Sequence, residues 1–157
     1  MKPELIFELA SLAAILGWLF LAAGVLGRPG ALRRALLLAG GRVIPLLLCA
    51  AYVVLLVAYW GSSAGGHFGS LDGVAQLFSS RGKLLGGWLH YLAFDLFIGR
   101  WIVDDTLRTF RSRRSLVFTL PLTFLFGPAG LLLHFAIRSL QSQAPAGRRL
   151  VAETAGD

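Results

Sequence analysis

The chain has 157 residues, 56% of them hydrophobic and only 15% charged, with a mean hydropathy of +0.71. That balance excludes an ordinary soluble domain, which needs more polar surface around one core, and predicts an integral membrane protein. The formal net charge of +7 lies on arginines that flank apolar runs, which points to cytoplasmic loops and anionic headgroups and away from nucleic acid, which is met by a basic domain.

In chain order, the first predicted element is an apolar helix from about Leu5 to Leu26. A cleavable signal peptide has a shorter apolar region and a clearer basic start, so the helix reads as a retained span, and no Ser- and Arg-rich transit peptide precedes it. "GRPGALRR" then breaks the run with Pro29 and two glycines and supplies Arg28, Arg33 and Arg34. A second span runs from about Val43 to Trp60, with a bend expected near Pro45. "GSSAGGHFGSLDG" reads as a flexible loop, and "VAQLFSSRGK" as one or two turns of interfacial helix. The third span covers Leu84 to about Val103, the polar "DDTLRTFRSRR" connects it onward, and the fourth covers Leu116 to about Ile137. The expectation is an all-α fold, a four-helix transmembrane bundle over residues 1–138, followed by an exposed, mobile tail at 139–157. Cys49, the one cysteine, lies in an apolar run, so no intramolecular disulfide is possible.

Orientation follows from arginine counts. Arg28, Arg33, Arg34 and Arg42 follow the first span, and Arg108, Arg111, Arg113 and Arg114 follow the third; the connection between the second and third holds only Arg81 and Lys83. Basic residues near span ends favour the cytoplasm, which predicts both termini on the non-cytoplasmic face of a bacterial inner membrane. Arg138, Arg148 and Arg149 in the tail pull against that orientation.

The third span carries the chemistry. "WLHYLAFDLFIGRW" holds His90, Asp95 and Arg100 within a run apolar enough for a bilayer, where ionisable side chains mark functional sites. Arg100 sits near the inner end, can snorkel to headgroups, and has Asp104 one turn on. Asp95 falls near the middle with Tyr91 and Gly99 as its i−4 and i+4 neighbours, so it must be protonated, find a partner on another helix, or face a polar cavity. Interhelical hydrogen bonding is the structural alternative. In the fourth span, Pro121 and Pro128 predict kinks, while Gly127 and Gly130 allow close approach of a neighbour. Together these leave room for a long flat ligand beside the third helix. Trp88, Tyr91 and Trp101 serve either as its wall or as an interfacial belt. Glu8, Tyr59, His90 and His134 are placed in the outer half of the bilayer by depth counting, which opens a third reading as a metal or haem site. No ligand spacing such as H-x-x-x-H supports it, so no metal or cofactor is expected. Nucleotide, P-loop, G-x-S-x-G and C-x-x-C motifs are absent from the sequence.

"GWLHYLAFDLFIGRWIVDD" and "TFLFGPAGLLL" together resemble the ABA-deficient-four-like family of small membrane proteins, whose plant members are associated with neoxanthin synthesis. The resemblance implies a four-helix membrane domain and, carried over, isomerisation of a carotenoid without net redox change. Joined to the residues, it gives a protein that binds a carotenoid or related isoprenoid between its third and fourth helices and, if an enzyme, isomerises it without a cofactor. Opening an epoxide to form an allene needs an acid and a base. Asp95 and His90 match the family motif as those catalytic groups, with Arg100 and Asp104 as a supporting pair and Tyr91, Trp88, Trp101, Gly127 and Pro128 at the ligand. The rival reading is a non-enzymatic accessory or pigment-binding subunit. Membrane lipid, an isoprenoid ligand, and a homo-oligomer or larger membrane complex are the expected partners.

Overall fold

A computed structural model describes residues 2–109 and 113–142 and is all-helical. Helix α1 (Pro3–Leu26) starts with Pro3 in its first turn, where the missing N–H is unneeded, and ends before Gly27 and Pro29. Its packing is the reverse of a soluble helix. The buried stripe, Ala10, Ala14, Gly17, Leu21 and Gly24, is mostly small, while bulky Leu5, Phe7, Leu9, Leu12, Ile15 and Leu19 point outward. The alternating four- and three-residue spacing keeps the small residues on one seam, where neighbouring helices come close. A methyl group on Gly17 would meet Leu96, and one on Gly24 would meet Leu37.

Helices α2 (Ala31–Leu38) and α3 (Ile44–Ala58) are joined by a π-helical turn, Ala39–Val43, into one rod of 28 residues, Ala31–Ala58. The bend expected at Pro45 takes this form because proline cannot donate to the carbonyl four residues back, and a widened turn absorbs the defect. The turn brings Gly40 against the backbone carbonyl of Gly17 and Gly41 against the stem of Arg100, so α1, α3 and α5 meet here. Two helices, α1 and Ala31–Ala58, are long and apolar enough to cross a membrane.

After the loop, α4 (Leu71–Leu77) is capped by Ser70, whose hydroxyl accepts from the Gly73 amide at 3.0 Å. Helix α5 (Arg81–Arg108) has 28 residues, about 42 Å, and is central, packed against α1, α3 and α6. It runs further than the predicted span at both ends and takes in Asp104 and Asp105, which the sequence places in a loop. A short 3₁₀ turn, Arg113–Ser115, leads into α6 (Leu116–Leu125).

The fourth predicted span is corrected here. At Phe126 (φ −145°, ψ 70°) the helix breaks, and α7 (Gly127–Ser142) folds back along α6. Gly130 packs on the backbone of Thr123, although a continuous helix would separate them by about 10 Å. Helix α6 climbs from the Ile102–Val103 level of α5 to Tyr91, and α7 descends from Asp95 to Asp105. Pro128 sits in the first turn of α7, where it starts a helix instead of kinking one. The first and last helical residues, Pro3 and Ser142, therefore lie at opposite ends of the bundle; the C-terminus itself, expected on the same face as the N-terminus, falls outside the described residues. Pro3 lies at the end where Glu4 pairs with Arg81 (2.7 Å); Ser142 lies at the end marked by Arg33, Arg108 and Arg113. Helix α7 also runs past the expected boundary at residue 138, and the rest of the predicted tail, 143–157, is outside the described residues.

Candidate functional site: the Asp95–hairpin junction

The two sequence segments singled out above meet at the tip of the hairpin. Asp95 is buried, and its carboxylate occupies the space that a side chain at residue 127 would take. Only glycine permits this approach. Phe126 is the N-terminal flank of α7, with its carbonyl accepting from the Ala129 and Gly130 amides at 2.8 and 3.2 Å. The Asp95 carboxylate thus lies at the positive end of α7, where an anion is stabilised by about 0.3–2 kcal/mol. Tyr91, one turn before Asp95 on α5, donates its hydroxyl to the Leu125 carbonyl at 3.1 Å, satisfying a carbonyl that the end of α6 leaves open. The same hydroxyl is within interaction range of the Asp95 carboxylate. Asp95 Oδ2 is buried and has no hydrogen-bond partner among the described residues, a group that is expensive to leave unmade.

One turn deeper, Arg100 and Asp104 form the expected i,i+4 pair in bidentate geometry, with Nε–Oδ2 and Nη2–Oδ1 both 2.8 Å. Arg100 Nη1 is buried without a partner among the described residues. Beside this pair is a cluster the sequence reading missed. Asp105 receives His134 Nε2 at 3.0 Å and Arg138 Nη1 at 2.8 Å, with Trp101 edge-on to the His134 ring at 5.5 Å. Asp104 and Asp105 are adjacent, so they leave α5 about 100° apart and serve different neighbours: Arg100 on α5 itself and the returning helix α7. The missed signal was the spacing of His134 and Arg138, one helical turn apart, which lets both side chains reach one carboxylate.

The other predicted residues do not gather at Asp95. His90 projects from α5 about 140° round from Asp95; its ring stacks on Phe94 (4.4 Å) and meets Tyr52 edge-on (5.6 Å). The two candidate catalytic groups thus face different surroundings. Trp88 bonds through Nε1 to the Ser11 hydroxyl (3.1 Å) and ties α5 to α1. Pro128 is exposed at the hairpin tip while Gly127 is buried. The two histidines of the metal reading do not converge. Counting along α5 puts His90 about 22 Å from Asp105 and its partner His134, and no group of three His, Cys, Asp or Glu side chains able to hold a metal is found among the described residues. His134, expected near the outer end, is at the arginine-rich end because the hairpin reverses.

Two apolar grooves flank this centre. One, about 570 Å³, lies between α3, α4 and α5 and is lined by Tyr52, Trp60, Phe78, Lys83 and His90 among others. The second, about 750 Å³, lies between α1 and α6. Between α5 and α7, where the sequence placed a ligand, Gly127 lies directly against the Asp95 carboxylate.

Two long apolar helices with bulky outward side chains suggest membrane association for an all-helical chain. The chain is a member of the ABA DEFICIENT 4-like family, whose model matches residues 5–134. It is 31% identical over 102 residues to Protein ABA DEFICIENT 4, chloroplastic, of Arabidopsis thaliana, a match covering 60% of this chain and 45% of that protein. This chain therefore spans less than half the length of that relative. No solved structure matches it.

Proposed function

We propose an integral membrane protein crossed by α1, by Ala31–Ala58 and by α5, with α6 and α7 entering from the arginine-rich face and returning to it. The inverted packing of α1 supports this, since bulky outward leucines suit lipid and not water. The arginine bias makes that face cytoplasmic.

In this setting the protein holds a carotenoid or related isoprenoid, the ligand class implied by the family resemblance. The observation that carries the reading is the groove between α3, α4 and α5. Its volume of about 570 Å³ is within the usual range for small-molecule sites, which are mostly apolar with a few polar groups. Tyr52, Trp60, Phe68 and Phe78 supply flat walls for a cyclic end group, and His90, Lys83 and Ser63 supply polar contacts for a ring oxygen. The test is the visible absorption of protein purified in mild detergent after expression with a carotenoid-producing background. Retained carotenoid that is lost in His90→Ala and Trp60→Ala supports the reading. Protein that stays colourless, or pigment that survives both changes, defeats it.

A chemical role is favoured by one further observation, the partnerless Oδ2 of Asp95. In the catalytic reading Asp95 transfers a proton to or from an isoprenoid that reaches the hairpin tip, with Tyr91 and the start of α7 stabilising the charge change. Product analysis of carotenoid incubated with the purified protein separates this from a holding role alone.

A further inference from the structure

The groove between α1 and α6 differs from the His90 groove in shape and in charge. Its walls are apolar, from Trp18 and Phe124 at the top to Val25 and Leu116 at the bottom, and Arg113 and Arg114 stand at its lower mouth. Its depth follows from the short α6, which has ten residues, about 15 Å. That is half of a hydrocarbon core of about 30 Å. The Trp18–Phe124 ring pair, 5.6 Å between centroids and edge-on, closes the top at the level of the hairpin tip. A cleft one leaflet deep, apolar along its length and with two arginines at its mouth, matches an amphiphile with an anionic head and an apolar tail.

We propose that this groove is a binding site for one anionic phospholipid from the arginine-rich leaflet. Its acyl chain lies between α1 and α6, and its phosphate meets Arg113 and Arg114. The inference rests on the membrane reading above but not on the carotenoid. An apolar chain in the groove fills the space that the half-length helix leaves beside α1. The phosphate offers acceptors to two guanidinium groups, the geometry arginine recognises best. Retention comes from the tail and the phosphate, and selectivity from the net negative charge of the head, since a choline lipid carries a cation beside the same phosphate.

The experiment is native mass spectrometry of the purified full chain, offered phosphatidylglycerol or phosphatidylcholine with the same acyl chains. The parent should retain phosphatidylglycerol over phosphatidylcholine by about thirtyfold, as two surface arginines predict. The double change Arg113→Gln and Arg114→Gln should bring the two lipids to parity. Val117→Trp, at an exposed position in the groove wall, should reduce retention of both. Excess inorganic phosphate should not displace the lipid, because it cannot replace the tail; displacement would identify a free-phosphate site and overturn the proposal. Equal retention of the two lipids by the parent, or selectivity that survives the double change, also overturns it. Flotation of the parent and variants with membranes is measured first. A chain left in the soluble fraction defeats the membrane reading and this site together, whereas a floating chain with no lipid preference defeats this site alone.

Discussion

Gly127 is buried because Asp95 is there: the carboxylate lies where a β-carbon on residue 127 would project. One pair of residues thus joins the middle of the central helix to the tip of the hairpin. Gly127→Ala should force the two apart, and overpacking of this kind costs about 1–3 kcal/mol. The check is thermal unfolding of the variant in detergent. Adding Asp95→Ala should recover part of the loss, and two changes that simply add would show that the residues do not touch.

Asp95→Asn should fold with nearly parental stability, since amide and carboxylate are close in size. In the catalytic reading it should abolish turnover while pigment in the His90 groove is retained. Full activity in the amide variant would leave Asp95 as interhelical packing only.

The Arg100–Asp104 pair is half-buried and bidentate, which places it above a typical exposed ion pair. A coupling of about 1 kcal/mol is expected from a double-mutant cycle with Arg100→Gln and Asp104→Asn. Asp104→Asn alone should be the worse single change, because it leaves the guanidinium, one of whose nitrogens already lacks a partner among the described residues, without its counter-charge.

The hairpin fixes a topology. In a Cys49→Ser background, Arg113→Cys and Ser139→Cys should both react with an impermeant thiol reagent from one side of the membrane, and Ser62→Cys from the other. Labelling of 113 and 139 from opposite sides would restore four full spans.

Asp105→Asn removes the charge that binds both His134 and Arg138. Amide exchange in α7 should rise, while exchange in α1 stays unchanged. A uniform rise across the chain would mean that the cluster supports the whole bundle and not the hairpin.

Much of this architecture is written in local signals. The apolar runs of α1 and α3, the breakers after Leu26 and the i,i+4 spacing of Arg100 and Asp104 are all short-range patterns that the structure contains, and near Pro45, where a bend was expected, it has a π-helical turn. The reversal at Phe126 was harder to read, because a run of apolar residues from Leu116 to Ile137 has the length of one span. Two clues pointed the other way. Gly127–Pro128 is a strong turn dipeptide, and arginines stand at both ends of the run, at 113–114 and at 138. A single span would put those arginines on opposite faces, whereas a hairpin puts them on one. The placement of His134 followed the same error, since counting depth along a straight helix inverts every residue after the turn. The separation of His90 from Asp95 was legible in their five-residue spacing, which gives different faces of a helix. That their surroundings are a groove and a hairpin tip depends on tertiary contacts that no local pattern encodes.

The short α6 has a mechanical consequence. In the proposed orientation α1, Ala31–Ala58, α5, α6 and α7 all pass through the leaflet on the arginine-rich side, but only the first three continue through the other. On that reading fewer long helices stand beyond the hairpin tip than on the basic side, with α4 packed beside α3 and α5 at the far end. Lipids opposite the tip have no protein beneath which to stand in register, and the bilayer must splay its far-leaflet tails inward over Phe126 and Pro128. The proposed orientation gives the two leaflets unequal protein cross-sections, so curvature that expands the basic leaflet would favour the protein there, before any ligand binds.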